Sequence, residues 1–135
     1  MIEDRLYREE LLEVYRNPQN RGELASPDLE AKMVNPLCGD EIRLQIKLSK
    51  SRVIEKAVFS GNGCAISQAS ASLLASHIEG KKLAKIKKLD VSNMLKLVGI
   101  NPSPARLKCA LLGLEVLKEA TNKLKRQNSK VKTTT

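Results

Sequence analysis

The sequence is poor in aromatic residues and has no long hydrophobic run. Of 135 residues only three are aromatic, namely Tyr7, Tyr15 and Phe59, so little surface is available for stacking nucleic-acid bases. No apolar run approaches the ~20 residues that cross a bilayer. The first residues also lack the basic and apolar stretches of a secretory signal. We therefore expect a cytoplasmic protein that has neither a membrane nor a nucleic acid as its partner.

Charged residues are abundant and unevenly distributed. The chain has 24 Lys and Arg against 15 Asp and Glu, a net charge of +9. Residues 1–30 are net acidic, and most of the basic excess lies in residues 81–88 and in the tail from Lys118. A strongly basic chain raises nucleic acid as a partner. No nucleic-acid-binding motif accompanies the charge, so a solvated basic helix face and a basic tail are the simpler interpretation.

Hydrophobic periodicity predicts one α+β domain. Alternation over residues 42–48 is typical of a half-buried strand, and residues 29–34 and 53–59 resemble strands more weakly. Helical periodicity covers the remaining apolar segments, at about residues 2–16, 65–78, 91–98 and 105–125. We expect a three-stranded antiparallel sheet packed against helices, with a long C-terminal helix. Residues 1–125 would form the domain, and residues 126–135 a disordered basic tail.

The number of cysteines is odd, and no export signal accompanies them. Cys38, Cys64 and Cys109 are therefore not expected to form a disulfide framework. Each of them, taken alone, is compatible with a small buried hydrophobic residue. Each, however, stands beside Gly, Pro or Asp at the end of a predicted element, where loops converge into sites. Three thiolates and Asp40 would supply four ligands, which suits tetrahedral Zn²⁺ or a two-iron cluster.

The residues around Cys38 and Cys64 favour a binding site, although an ordinary turn stays open at both. Cys38 and Asp40 are two residues apart, so in extended backbone they project to the same side. Gly39 between them permits a bend with positive φ and leaves space for an ion. Cys64 follows Gly63 at the predicted start of a helix, where the helix dipole favours the thiolate.

Cys109 lies near the start of the last predicted helix. Arg106 and Lys108 precede it, and either cation would favour its thiolate form. A buried core cysteine stays the alternative here, because apolar residues flank it. His77 is the only histidine, and helical geometry turns it away from the direction of Cys64. We therefore do not expect it to be a ligand.

Three segments of the chain resemble the iron–sulfur cluster assembly scaffolds of the NifU/IscU/SufU family. They are residues 35–40 (NPLCGD), residues 61–72 (GNGCAISQASAS) and residues 104–110 (PARLKCA). Residues 15–22 (YRNPQNRG) are similar to the N-terminal helix and loop of that family. The resemblance covers about residues 4–122, which is nearly the whole chain.

The resemblance implies a scaffold protein, not an enzyme. It would take sulfur from a cysteine desulfurase, build a transient [2Fe–2S] cluster and pass the cluster to acceptor apoproteins or carriers. Cys38, Cys64 and Cys109 would be metal ligands and candidates for accepting sulfur. Asp40 would be the fourth ligand, or the group that keeps the cluster labile.

Three departures from the patterns of the family members leave a second function open. Lys108 stands where IscU-type members have His, as it does in SufU-type members, and residues 101–106 do not reproduce the chaperone-docking Leu-Pro-Pro-Val-Lys motif. An Hsp70-type chaperone is therefore a doubtful partner. The chain also lacks the extra segment that SufU-type members have between the second and third cysteines. The alternative is a SufU-type sulfurtransferase that relays persulfide, with Zn²⁺ bound by Asp40 and the cysteines.

Overall fold

The computed structural model describes residues 2–36, 39–99 and 103–134. Its sheet has three antiparallel strands in the order β1 (Leu29–Val34), β2 (Glu41–Leu48) and β3 (Ile54–Asn62). Within these residues the chain forms five helices, α1 (Ile2–Arg16), α2 (Ala65–Ile78), α3 (Leu83–Ile86), α4 (Val91–Val98) and α5 (Pro104–Thr134). The expected α+β architecture, with its long C-terminal helix, is confirmed.

The helices cover one face of the sheet. Helix α5 packs on β1 and β2, α2 packs on β3 and β2, and α1 lies against α2. The alternating residues Ile42, Leu44 and Ile46 of β2 are all buried, because the pleat directs every second side chain to the same face. The core thus lies between the sheet and the helix pair α2 and α5.

Small residues let α2 and α5 approach each other closely. Gly113 of α5 faces Ala71 of α2, and a Cβ added at Gly113 would lie 3.5 Å from the Ala71 Cα. Two serines of α2 bind the turn after α1. The Ser72 hydroxyl donates to the Gln19 carbonyl at 2.7 Å, and the Ser76 hydroxyl donates to Asn20 Oδ1 at 2.8 Å. The Ala- and Ser-rich composition of α2 is therefore explained by packing on two sides.

The helix ends agree with the capping residues in the sequence. Asp90 caps α4, accepting from the Asn93 N–H at 2.9 Å, and the Asn93 side chain accepts from the Asp90 N–H in return. Gly80 follows the end of α2. It has a φ of +83° and directly follows the C-cap residue Glu79, as helix-terminating glycines do.

Two element boundaries differ from the prediction. Strand β3 continues past Phe59 to Asn62, because residues 60–62 pair with residues 41–43 of β2. Helix α5 continues to Thr134 rather than ending near Lys125. Residues 126–134 contain good helix formers such as Lys, Arg and Gln but no apolar stripe, so periodicity alone does not indicate them. A separate role of residues 126–135 as a basic tail stays a prediction.

No helix in the described part of the chain combines the length and the apolar character that a membrane crossing requires.

Candidate metal centre

Three side chains from distant parts of the chain meet at one end of the sheet. They are Asp40 from the β1–β2 loop, Cys64 from the β3–α2 junction and Cys109 from the start of α5. One carboxylate oxygen and the two sulfur atoms all lie within 4.8 Å of one another. Asp40 and Cys109 are buried, at 2% and 3% exposure, whereas Cys64 is half-buried. The convergence expected from the sequence is confirmed for these three residues.

The β1–β2 loop is closed by its own backbone. The Asn35 N–H donates to the Asp40 carbonyl, and the Gly39 N–H donates to the Asn35 carbonyl, both at 2.7 Å. Gly39 has a φ of +72°, a conformation that other residues adopt at a cost. A Cβ at Gly39 would meet no atom within 4 Å. Glycine is therefore favoured here by conformation, and the loop holds Asp40 at the entrance to β2.

Gly63 brings the Asp40 carboxylate against the start of α2. The Cys64 N–H donates to Asp40 Oδ1 at 2.9 Å, and the Cys64 thiol donates to Asp40 Oδ2 at 3.4 Å. A Cβ at Gly63 would overlap the carboxylate oxygen and lie 2.8 Å from its Cγ. Only glycine fits at this position without displacing the carboxylate.

Cys64 is the N-cap residue of α2, and its side chain makes no capping hydrogen bond. The thiol is therefore not held by the helix backbone, and it donates to Asp40 Oδ2 instead. This N-cap position places the sulfur at the end of a 14-residue helix where backbone N–H groups have no partner within the helix. The sequence-based placement of Cys64 at a helix start is confirmed.

The separations of the donor atoms suit one metal ion. In a tetrahedral zinc site a sulfur and an oxygen ligand are about 3.6 Å apart, and two sulfur ligands about 3.8 Å apart. The separation of 3.4 Å between Asp40 Oδ2 and the Cys64 sulfur is close to the sulfur–oxygen value. None of the three separations in the site is longer than 4.8 Å, which is about 1 Å more than the sulfur–sulfur value. Two thiols and a carboxylate are donors that both zinc and iron accept. Small side-chain movements would therefore form three coordination bonds.

Cys38, the remaining predicted ligand, lies outside the described residues. The sequence places it two residues before Asp40, in the same loop. A fourth protein ligand from that loop would complete a tetrahedral set, and its participation stays a prediction.

His77 is separated from the three donors by the length of α2, since it lies in the last turn of that helix. Burial lowers the pKa of its imidazole, and Lys81 and Lys85 lower it further.

Arg106 and Lys108, the predicted supporting cations, are exposed. Among the described residues no ion pair involves either of them. That Arg106 and Lys108 stabilise the thiolates stays a prediction. That Gly39 and Gly63 leave room for a bound ligand also stays a prediction.

Sequence reasoning assigned no role to two residues that organise the site. Asn35 closes the Asp40 loop through its backbone. Ser67 is fully buried in the first turn of α2, where its hydroxyl donates to the Cys64 carbonyl at 3.1 Å. Asn at a turn and Ser near a helix start are the available signals, but neither distinguishes a site from an ordinary loop.

Fold and site together define a small α+β protein with a single cluster of two cysteines and one aspartate in its described part, suited to a metal ion. The family model described as "NifU-like N terminal domain" matches residues 6–131. The chain therefore belongs to the NifU-like N-terminal domain family.

Relatives in this family include proteins with two different names. The chain is 36% identical over 137 residues to "Zinc-dependent sulfurtransferase SufU" of Bacillus subtilis, covering 89% of this chain and 92% of the relative. It is 33% identical to "Iron-sulfur cluster assembly scaffold protein IscU" of Thermotoga maritima, covering 93% and 99%.

Solved structures agree with the fold. The crystal structure of a putative iron–sulfur cluster assembly scaffold protein for the SUF system from Fervidobacterium islandicum is similar, with a TM-score of 0.69 and 25% identity over 82% of this chain and 92% of that one. The N-terminal part of a NifU-like protein from Brucella abortus has a TM-score of 0.72 at 24% identity, over 93% of this chain and 97% of that one, and supports the fold alone.

Proposed function

We propose that this protein is a scaffold for iron–sulfur cluster assembly. It accepts sulfur from a cysteine desulfurase, combines the sulfur with iron at Cys38, Asp40, Cys64 and Cys109, and passes a [2Fe–2S] cluster to acceptor proteins. It works in the cytoplasm and catalyses no reaction of its own. The observation that carries the proposal is the meeting of Asp40, Cys64 and Cys109 within 4.8 Å in a chain that belongs to a family with members named as such scaffolds.

The geometry favours sulfur transfer to the half-buried Cys64. Cys64 is the more accessible of the two described cysteines, and Asp40 Oδ2 accepts the hydrogen of its thiol. Once that proton has left, the Cys64 sulfur can attack the outer sulfur of a persulfide on the desulfurase. A new S–S bond forms, the old S–S bond breaks, and the donor cysteine leaves as a thiolate with no net oxidation. Each transferred sulfur then takes two electrons from an external thiol reductant to become sulfide.

Anaerobic reconstitution tests this proposal. Protein incubated with ferrous iron, cysteine, a desulfurase and a thiol reductant should develop the visible absorption bands of a [2Fe–2S] cluster. Cys38→Ser, Cys64→Ser and Cys109→Ser should each lose stoichiometric iron and sulfide, because each removes a ligand. The matched control is His77→Gln, which removes a potential ligand at the far end of α2 and should load as the wild type does. If the wild-type protein forms no iron–sulfide absorption, the scaffold proposal fails.

A second candidate function is a zinc-dependent sulfurtransferase. The 36% identity to the Bacillus subtilis protein of that name favours it, and the 3.4 Å separation of Asp40 and Cys64 is compatible with zinc. Zinc would be held by Asp40 and the cysteines, and it would hold their thiols deprotonated at neutral pH. One cysteine thiolate would then leave the zinc ion and accept the sulfur atom.

Zinc loading separates the two functions. If zinc-loaded protein accelerates turnover of the desulfurase and no cluster forms on the iron-loaded protein, the sulfurtransferase is correct. If the zinc-loaded protein leaves turnover unchanged and the cluster forms and transfers, the scaffold is correct. Metal analysis of freshly purified protein, with an absorption spectrum, shows which form predominates in the cell.

A further inference from the structure

A groove lined by lysines lies at the end of α2 opposite to the metal centre. It has a volume of about 490 Å³ and is lined by Gly80, Lys81, Lys82, Ala84, Lys85 and Lys88; we call it the lysine groove. Its size is within the range of clefts that hold ligands, roughly 300–1,000 Å³. Neither the metal centre nor the sulfur chemistry proposed above uses it.

The lysine groove is built on a fixed backbone. Leu83 and Ile86 of α3 are both buried at 2% exposure, so the lysines around them project outward. The Gly80 N–H donates to the Ile54 carbonyl and the Ile54 N–H to the Lys81 carbonyl, at 2.8 and 2.9 Å. These bonds tie the start of the segment to β3, so the backbone that carries the lysines is held against the sheet.

The positive charge of the lysine groove is not balanced by neighbouring carboxylates. In the part of the chain that the structure describes, the ion pairs involve only Lys32 and Arg43 as cations. The acids nearest in sequence are engaged elsewhere. Glu79 accepts from the Ala57 N–H, and Asp90 caps α4. Four lysines thus surround one concave volume, and they create a local positive potential that attracts anionic groups.

The groove is distant from the metal centre. Helix α2 has 14 residues between Cys64 and Glu79, and at 1.5 Å per residue its two ends are about 21 Å apart. A molecule held in the lysine groove would therefore leave the Asp40 and Cys64 donors uncovered.

We propose that the lysine groove docks an acidic segment of a partner protein. Attraction between opposite charges on two surfaces steers encounter and sets their orientation. With the function proposed above, a sulfur donor or a cluster acceptor would stay attached by this segment while its reactive part reaches the metal centre. That last use rests on the proposed function, whereas binding of an acidic segment does not.

The chemistry of the groove favours protein over nucleic acid as its occupant. All four cations are lysines, whose compact ammonium groups attract carboxylates and phosphates alike, so the apolar lining has to discriminate between the two partners. No aromatic side chain lines the groove, and Phe59, a residue of the adjoining strand, is fully buried. Base stacking, which sustains binding of single strands, therefore has no platform there.

A charge-reversal experiment on the metal-free full-length protein tests the proposal. The probe is a fluorescein-labelled oligo-glutamate peptide followed by fluorescence anisotropy. The groove variant combines Lys82→Glu, Lys85→Glu and Lys88→Glu. The matched control combines Lys47→Glu, Lys118→Glu and Lys123→Glu, three exposed lysines of β2 and α5 with the same change in net charge. We expect the groove variant to bind about tenfold more weakly than the control, with a steep dependence on salt.

Two outcomes would overturn the proposal. Equal losses in the groove and control variants would show a general effect of net charge. The second outcome is that single-stranded DNA of matched charge binds more tightly than the peptide and that the groove variant loses this binding. That result would assign the groove to nucleic acid. Circular dichroism and zinc binding confirm that both variants are folded. Cluster reconstitution is measured separately, so failure here and failure of the scaffold function are distinguishable.

Discussion

Gly63 determines how closely the Asp40 carboxylate approaches Cys64, and Gly63→Ala perturbs that contact directly. The added Cβ would overlap Oδ1 and lie 2.8 Å from Cγ, so the carboxylate has to move. Gly63 has a φ of +149°, and strain of an alanine there costs about 1–3 kcal/mol. The bond from the Cys64 N–H to Asp40, at 2.9 Å, contributes about 1.5–3 kcal/mol because its acceptor is charged. Since the two effects overlap, we expect the free energy of unfolding to fall by about 2–4 kcal/mol.

Urea unfolding of the metal-free protein measures that change, and competition with a chromophoric chelator measures zinc affinity. Because Gly63→Ala displaces both Asp40 and the adjacent Cys64, we expect zinc to bind about 10–100-fold more weakly. Gly80→Ala is the matched control. Its φ is +83° and its Cβ meets no atom within 4 Å, so only a backbone cost of about 1–2 kcal/mol applies and zinc affinity should not change. If Gly63→Ala destabilises no more than Gly80→Ala and keeps wild-type zinc affinity, the proposed role of this contact is refuted.

Three further substitutions test other parts of the structure. Asp40→Ala should still fold and should slow transfer of a preassembled cluster to an apo-ferredoxin, because the exchangeable oxygen ligand is lost while the thiolates remain; faster transfer would contradict this. His77 has a lowered pKa because of burial and then of Lys81 and Lys85. The unfolded chain therefore binds its proton more readily, and stability falls as pH drops below the ordinary value of 6.5. Urea midpoints between neutral pH and about pH 5 should decline less steeply in His77→Gln, and an unchanged slope would exclude this histidine as a cause. Gly113→Ala should stabilise the protein by about 0.5–1 kcal/mol in thermal unfolding, because its Cβ would contact Ala71 at an ordinary 3.5 Å. Destabilisation would show that α2 and α5 cannot accommodate the added methyl group.

Local patterns in the sequence were sufficient for most elements of the fold. Strand β2 alternates apolar and polar residues, and α2 lies between Gly63 and Gly80, so their bounds follow from short-range signals. The extension of β3 to Asn62 was missed, because Ser-Gly-Asn has little strand preference. Its pairing with β2 decides its conformation, and pairing is a tertiary interaction that local composition does not contain.

The meeting of Asp40, Cys64 and Cys109 was predictable from the sequence, but its geometry was not. The glycines beside Cys38 and Cys64 indicated that these cysteines differ from core residues, and the two-residue spacing of Cys38 and Asp40 indicated Asp40 as their companion. The hydrogen bonds from Cys64 to both oxygens of Asp40 depend on how the β1–β2 loop meets the start of α2. The burial of Cys109 beside the exposed Lys108 likewise depends on how α5 packs, so the sequence left both readings of Cys109 open.

The three donors come from three parts of the chain that only the complete fold brings together. Metal binding and folding are therefore thermodynamically coupled. A ligand that binds only the native state stabilises it by about 2.7 kcal/mol at a free concentration one hundred times its dissociation constant. Domains of this size have a free energy of unfolding of about 5–15 kcal/mol. Binding or release of the metal would therefore change a large fraction of that free energy. Release of the bound metal or cluster would then leave a looser chain, more open to local unfolding and to proteolysis than the loaded form.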